Sequence, residues 1–170
     1  YKARLGKHFG RTIPGIFTDE PKLIVPVAWT ERLPEEFLRH HGYDLVGKLP
    51  HLVKDLGPET PKVRRDYRET LLRMLRENYF ERIRNWCEKN RLLFVGHVSP
   101  EEDPYYQAIH LSDLAPLLES FHIPGTDIIV PAVGDHDHEV LNLGPKLVSS
   151  VACQHGKRRV LCESFACSEW

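Results

Sequence analysis

Apolar residues along this chain follow two rhythms. Over "DYRETLLRMLRENYFERIRNWCEKN", residues 66–90, Tyr67, Leu71, Leu75, Ile83, Trp86 and Cys87 recur at helical spacing, with Arg and Glu on the other face. The spacing predicts a long amphipathic helix, with Thr60-Pro61 upstream as cap and first-turn proline. Trp86, on the apolar stripe, is expected in the core. "GPKLVSSVACQHGK", residues 144–157, reads as a second helix. Pro145 suits its first turn, Leu147, Val148, Val151 and Ala152 form a stripe, and Gly156 suits its C-terminal cap. "DLAPLLESF", residues 113–121, is a weaker helix carrying Pro116. The second rhythm is that of short strands. "GIFT" (15–18), "RLLFVGHV" (91–98), "TDIIVP" (126–131) and "RRVLCESFA" (158–166) are brief, apolar and bounded by turn residues or charges. The run ended by Gly96-His97 is apolar on both faces, as in a strand covered on both sides of a parallel sheet.

The order is strand, long connection with helices, strand, weak helix, strand, helix, strand. Alternation of this kind predicts right-handed βαβ units and a parallel sheet. Two α/β architectures fit: an open doubly wound sheet, or part of a (β/α)8 barrel. No glycine-rich phosphate loop follows any strand, which weighs against a nucleotide-binding open sheet. A complete barrel takes ~250 residues, so four strands would be about half of one.

Composition narrows the partners. The chain has 170 residues, 41% hydrophobic and 28% charged, with a net charge of −1. That balance supports a folded core and offers no basic stripe for nucleic acid and no charge bias toward a membrane. No apolar run approaches the ~20 residues of a membrane span, and "YKARLGKHFG" lacks the apolar segment of a signal peptide. Starting on Tyr1, the sequence reads as a piece of a longer chain, so an upstream signal and secretion stay open. Cys87, Cys153, Cys162 and Cys167 match no zinc spacing and read as buried thiols of a reducing compartment, which favours a cytoplasmic location. Cys87 and Cys153 are expected on apolar helix faces.

In parallel α/β folds the active site stands at the carboxyl ends of the strands. There the sequence puts Asp19 and Glu20, then His97, then the loop "PAVGDHDHEV", then Glu163. Glu20 and Glu163 form the pair with the clearest chemistry. Glycoside hydrolysis needs one carboxyl group to protonate the departing oxygen and a second to attack the anomeric carbon or activate water. Buried Ile16 would hold Glu20 rigid. Asp19, next to it, points the other way unless the backbone bends. Trp29, with a flat face suited to a pyranose, is a candidate for substrate binding, and so are Asp19, His97 and His138. A rival reading takes Asp135, His136 and His138 as ligands of a divalent metal in a hydrolase. A third is a non-catalytic carbohydrate-binding piece. Arg64, Arg65 and Asp66 read as a solvated helix start.

Two resemblances sharpen this. "TDEP", residues 18–21, resembles the Asn-Glu-Pro motif that ends strand four in the clan of retaining (β/α)8-barrel glycosidases. In that clan the Glu is the acid/base, the Asn binds the sugar 2-hydroxyl, and a nucleophilic Glu ends strand seven. Counting the Glu20 strand as four brings Glu163 to the end of strand seven. Asp19 stands where the clan has Asn, and can accept but not donate a hydrogen bond from a hydroxyl. The wider pattern "GIFTDEP", "FLRHHGYDLVGKLPHL", "RRDYRETL" and "GKRRVLCESF" resembles the large α-L-rhamnosidase-like glycosidase family, whose members invert and use a bound calcium. The resemblance implies a glycosidase built on about half of a (β/α)8 TIM-type barrel, residues 1–170 forming part of the catalytic domain of a longer multidomain chain. It implies Glu20 and Glu163 as the catalytic pair and a carbohydrate as partner, and no cofactor is expected for the chemistry. Retention or inversion stays open. Half a barrel leaves unpaired strand edges, to be covered by the rest of a barrel or by a second copy.

Overall fold

The computed structural model describes residues 1–129 and 143–164. In chain order the main elements are β1 (Gly15–Thr18), α1 (Leu33–His41), α2 (Thr60–Leu75), α3 (Glu81–Lys89), β2 (Leu93–Gly96), α4 (Pro104–His110), α5 (Ala115–Glu119), β3 (Ile123–Ile128), α6 (Leu143–Gln154) and β4 (Leu161–Ser164). A π-helical turn spans Arg76–Phe80. The four strands are parallel and lie in the order β1-β2-β3-β4. Sequential order is what a curling barrel produces, whereas a doubly wound sheet reverses direction at a switch point. The fold is a curled half-barrel of βα units.

The chain divides into two compact units. One, residues 23–75, packs Leu33 and Phe37 of α1 against Leu45 and Tyr67. Within it the buried Asp66 accepts from Tyr43 Oη at 2.9 Å and pairs with Lys62 and Arg65. Arg64, next to that pair, donates through Nε to the carbonyl of His51 at 2.9 Å.

The other unit, residues 1–22 and 76–170, holds the sheet. Phe94 points from β2 into an aromatic core, 4.6 Å from Phe121 and 6.3 Å from Phe80 between ring centroids. The β2–β3 ladder is short, pairing Val95 with Ile123 and Gly96 with Pro124. His122 extends it: its Nδ1 accepts the Phe94 N–H at 2.8 Å, and its own N–H donates to the Phe94 carbonyl at 2.9 Å. Gly96 allows the close pairing with β1, since a Cβ there would lie 2.2 Å from the Thr18 carbonyl oxygen.

Several expectations change. β3 begins at Ile123 rather than Thr126, because His122 and the Pro124–Gly125 pair fit the ladder beside β2. Ile16 is not buried: it is 36% exposed, on an outer strand whose second neighbour is absent among the described residues. Trp86 is likewise 37% exposed, its ring edge-on to Phe9 beside an open groove shared with Ile16, Tyr79 and Ile83. Of the described thiols only Cys87 is buried, whereas Cys153 and Cys162 are exposed, so the helix stripe of α6 stops short of Cys153. No helix among the described residues is long and apolar enough to cross a membrane.

Candidate active site

Register alone assembles the site. Phe17 pairs with Val95, Val95 with Ile123, Gly125 with Leu161 and Asp127 with Glu163. Side chains alternate along a strand, so these positions share one face of the sheet. That face is opposite to Phe94 and the helices. One pleat beyond Phe17 and Val95 stand Asp19 and His97. Asp19, His97, Asp127 and Glu163 therefore come to the same face at the carboxyl ends of four consecutive strands.

His97 is the hub. It is 1% exposed and lies 5.7 Å from the Phe17 ring. Its Nε2 is 3.2 Å from Glu163 Oε2 and 3.5 Å from Asp19 Oδ1, and its Nδ1 is 3.5 Å from Glu101 Oε1. The contact to Glu163 is a hydrogen bond, whereas the approach to Glu101 is an ion pair without hydrogen-bond alignment. Burial by itself would strip the imidazole of its proton, yet Glu101 and then Glu163 outweigh it and raise the pKa to about 9. The four acidic neighbours thus favour the imidazolium, with a proton on each nitrogen.

Sequence reasoning missed two members of the site. Glu101 is 1% exposed, and neither carboxylate oxygen has a hydrogen-bond partner among the described residues. Burial lifts its pKa to about 7 against the opposing pull of His97. Its loop is fixed from below. Asp103 caps α4 by accepting from the Tyr105 and Tyr106 N–H groups, and Gln107 Nε2 donates to the Glu101 carbonyl at 2.6 Å. From the side, Gly144 of α6 packs so closely that a Cβ would lie 2.8 Å from Thr126 Oγ1 and 3.2 Å from Glu101 Cβ. Asp127 is the second. Burial raises its pKa, opposed by His97. The signal for Glu101 was a carboxylate in the turn directly after a strand-end histidine. For Asp127 it was a charge inside an otherwise apolar strand.

Glu20 reaches the rim by a backbone bend. Its φ is +43°, in the left-handed region that a residue with a side chain seldom adopts. Its Oε2 pairs with Lys22 Nζ at 3.2 Å, and Lys22 also donates to Ser99 Oγ at 3.2 Å. Glu20, Ser99, Glu102, Thr126, Asp127 and Gly144 line a cavity of about 160 Å³. The structure thus brings Asp19, His97 and Glu163 into contact and sets Glu20 in the cavity beside Asp127. Trp29 belongs to the other compact unit, where it is half-exposed ahead of α1. His138, together with Asp135 and His136 of the metal reading, lies outside the described residues.

Among the described residues of this rim, two groups place possible metal-ligand atoms together, Asp19–His97–Glu163 and His97–Glu101–Asp127. Both share His97, which offers one nitrogen, and each adds only two carboxylates. Calcium takes six to eight oxygen ligands. These two groups do not fit calcium.

Comparison with known proteins agrees with this architecture. The model of the glycoside hydrolase family 106, alpha-L-rhamnosidase, matches residues 1–170. A protein of Formosa agariphila named "Putative beta-glucuronidase" is 28% identical over 166 residues, 95% of this chain and 13% of its own length. The structure of a rhamnosidase from Novosphingobium sp. PP1Y superposes with a TM-score of 0.68 at 24% identity, over 90% of this chain and 14% of that one. The chain thus spans about one seventh of the length of either relative. With the family model covering every residue, this chain belongs to the alpha-L-rhamnosidase family.

Proposed function

We propose that this chain forms part of the active-site rim of a glycoside hydrolase cleaving the O-glycosidic bond of an α-L-rhamnoside, as half of a catalytic barrel in a longer multidomain protein. Glu20 is the general acid that protonates the departing oxygen. Glu163 is the second carboxylate, either attacking the anomeric carbon or drawing a proton from the attacking water. Asp19 accepts hydrogen bonds from sugar hydroxyls. His97 positions Asp19 and Glu163 through its Nε2–H. The observation that carries the reading is the meeting of Asp19, His97 and Glu163 at the ends of three parallel strands. The bent backbone of Glu20 adds support, because strain of this kind is kept where a side chain has to be aimed. The family name supplies the sugar.

The test separates the two carboxylates by leaving group. In the full-length enzyme, Glu163→Gln should lower kcat on every rhamnoside by about 10³-fold or more. Glu20→Gln should do so only where the leaving group needs a proton, sparing a dinitrophenyl rhamnoside. Proton NMR of the first-formed anomer then reads retention or inversion. Activity that survives both substitutions on an alkyl rhamnoside sinks the assignment.

A further inference from the structure

The reading above uses the upper edge of His97 and leaves its lower edge unexplained. There the chain buries a carboxylate that makes no hydrogen bond through either oxygen to any described residue. Burying a carboxylate this way is costly, and a glutamine or an apolar residue would pack there more cheaply. Glu101 does not line the cavity beside Glu20, so it is not a candidate to touch substrate. What it faces is His97 Nδ1, at 3.5 Å.

We propose that Glu101 is a positioning residue of the hydrolytic reaction, holding His97 doubly protonated so that its Nε2–H stays turned to Asp19 and Glu163. This inference rests on the assignment of Glu163 made above. The tautomer logic is simple. A neutral imidazole beside an ionised Glu101 keeps its single proton on Nδ1. Its Nε2 lone pair would then face two carboxylates and repel them. Only the imidazolium turns a positive edge to the carboxylates on both sides. Among the described residues, the charged groups around His97 are Asp19 after β1, Glu101 below, Asp127 from β3 and Glu163 from β4, all acidic. Glu20 and Glu102 face Asp127 in turn and raise its pKa. Glu101 is the most buried of the contacting carboxylates and the one joined to Nδ1. The capped α4, the Gln107 bond and the Gly144 contact hold its loop in place.

The test follows kcat/KM against pH for the full-length enzyme on dinitrophenyl α-L-rhamnoside. That leaving group departs without a proton, so the titration of Glu20 drops out of the alkaline limb. The wild-type limb is expected near pH 9, where His97 loses its proton. Glu101→Gln should move it down by roughly one unit or more and lower kcat about tenfold, with KM little changed. Glu101→Asp should restore part of both. In a His97→Gln background, Glu101→Gln should have almost no further effect. An unmoved limb in Glu101→Gln, or the same loss of kcat in the His97→Gln background, overturns the proposal. If Glu101→Gln fails to fold, Glu101→Asp carries the test, and a wild-type limb below about pH 7 overturns it with no substitution at all. Glu163→Gln keeps the two readings apart. Full activity in that variant removes the assignment of Glu163. Its inactivity, with an unmoved Glu101→Gln limb, removes only the role of Glu101.

Discussion

At the scale of single residues, the His97–Glu101 pair sets a pH dependence of stability. The imidazole has a folded pKa of about 9 against an ordinary 6.5. A group that holds its proton more tightly when folded stabilises the fold fully below its unfolded pKa, and the gain disappears as pH rises through the folded value. For His97 the window is from about 6.5 to about 9. Glu101, raised to about 7 from 4.5, works in the same direction over a lower window, because the folded chain keeps its proton longer. Stability should therefore fall from pH 5 to pH 9, with His97 alone contributing roughly 2–3 kcal/mol of the fall. Denaturant unfolding at the two pH values measures it. His97→Asn should flatten the slope above pH 6.5, and a slope of the opposite sign would show that the pair is not ionised as described. Residue types made four of the six members of this site legible. Asp19, Glu20, His97 and Glu163 stood out as polar groups ending apolar strands. Glu101 did not, because its part depends on a loop folding back under His97, and no periodicity encodes that return.

At the scale of elements, the site depends on how closely β1 lies against β2. Gly96 has φ +151° and meets the Thr18 carbonyl with no room for a side chain. Adding a Cβ forces the two strands apart just where Asp19 leaves β1 and His97 leaves β2. Gly96→Ala should cost about 2–4 kcal/mol of stability and lower kcat/KM at least as far as a substitution of His97 does. Thermal unfolding together with kinetics on the same sample reads both. Retained activity with an unchanged melting temperature would mean that the strands can separate without disturbing the site. Elements were legible in kind and blurred at their ends. All four strands and the long helical run were marked by apolar spacing. The start of β3 was not, since Pro124 and Gly125 argue against a strand until the pairing partner is known. That displacement hid Asp127, which looked like an early strand residue and is in fact level with Glu163. The π-helical turn at Arg76–Phe80 has no mark in the spacing either, although it carries Tyr79, whose hydroxyl meets Thr18 Oγ1 at 2.9 Å.

At the scale of the whole molecule, the sheet formed by the described residues is open on both sides. Among the described residues β1 pairs only with β2, and β4 only with β3. Each outer strand therefore offers a row of unpaired backbone groups, and natural proteins cover such edges or close the sheet. The faces match the edges. Phe17 and Leu93 on the inner face, and Ile16 and Trp86 beside the outer groove, are all more than a third exposed. These four are not scattered surface residues, because they cluster around β1, where a preceding βα unit of a closed barrel would lie. The matched relatives are about seven times longer than this chain, which leaves ample length for such a unit. Produced alone, residues 1–170 should self-associate at micromolar concentration through β1, bind a hydrophobic dye and show no turnover of rhamnosides. Sedimentation velocity with dye binding tests this. Lys substitutions at Phe17 and Ile16 should restore a monomer, since a charge on either face of an outer strand blunts its edge. A monodisperse, dye-silent monomer of the unaltered piece would mean that the half-barrel is a closed folding unit in itself, its apolar edge tolerated rather than covered.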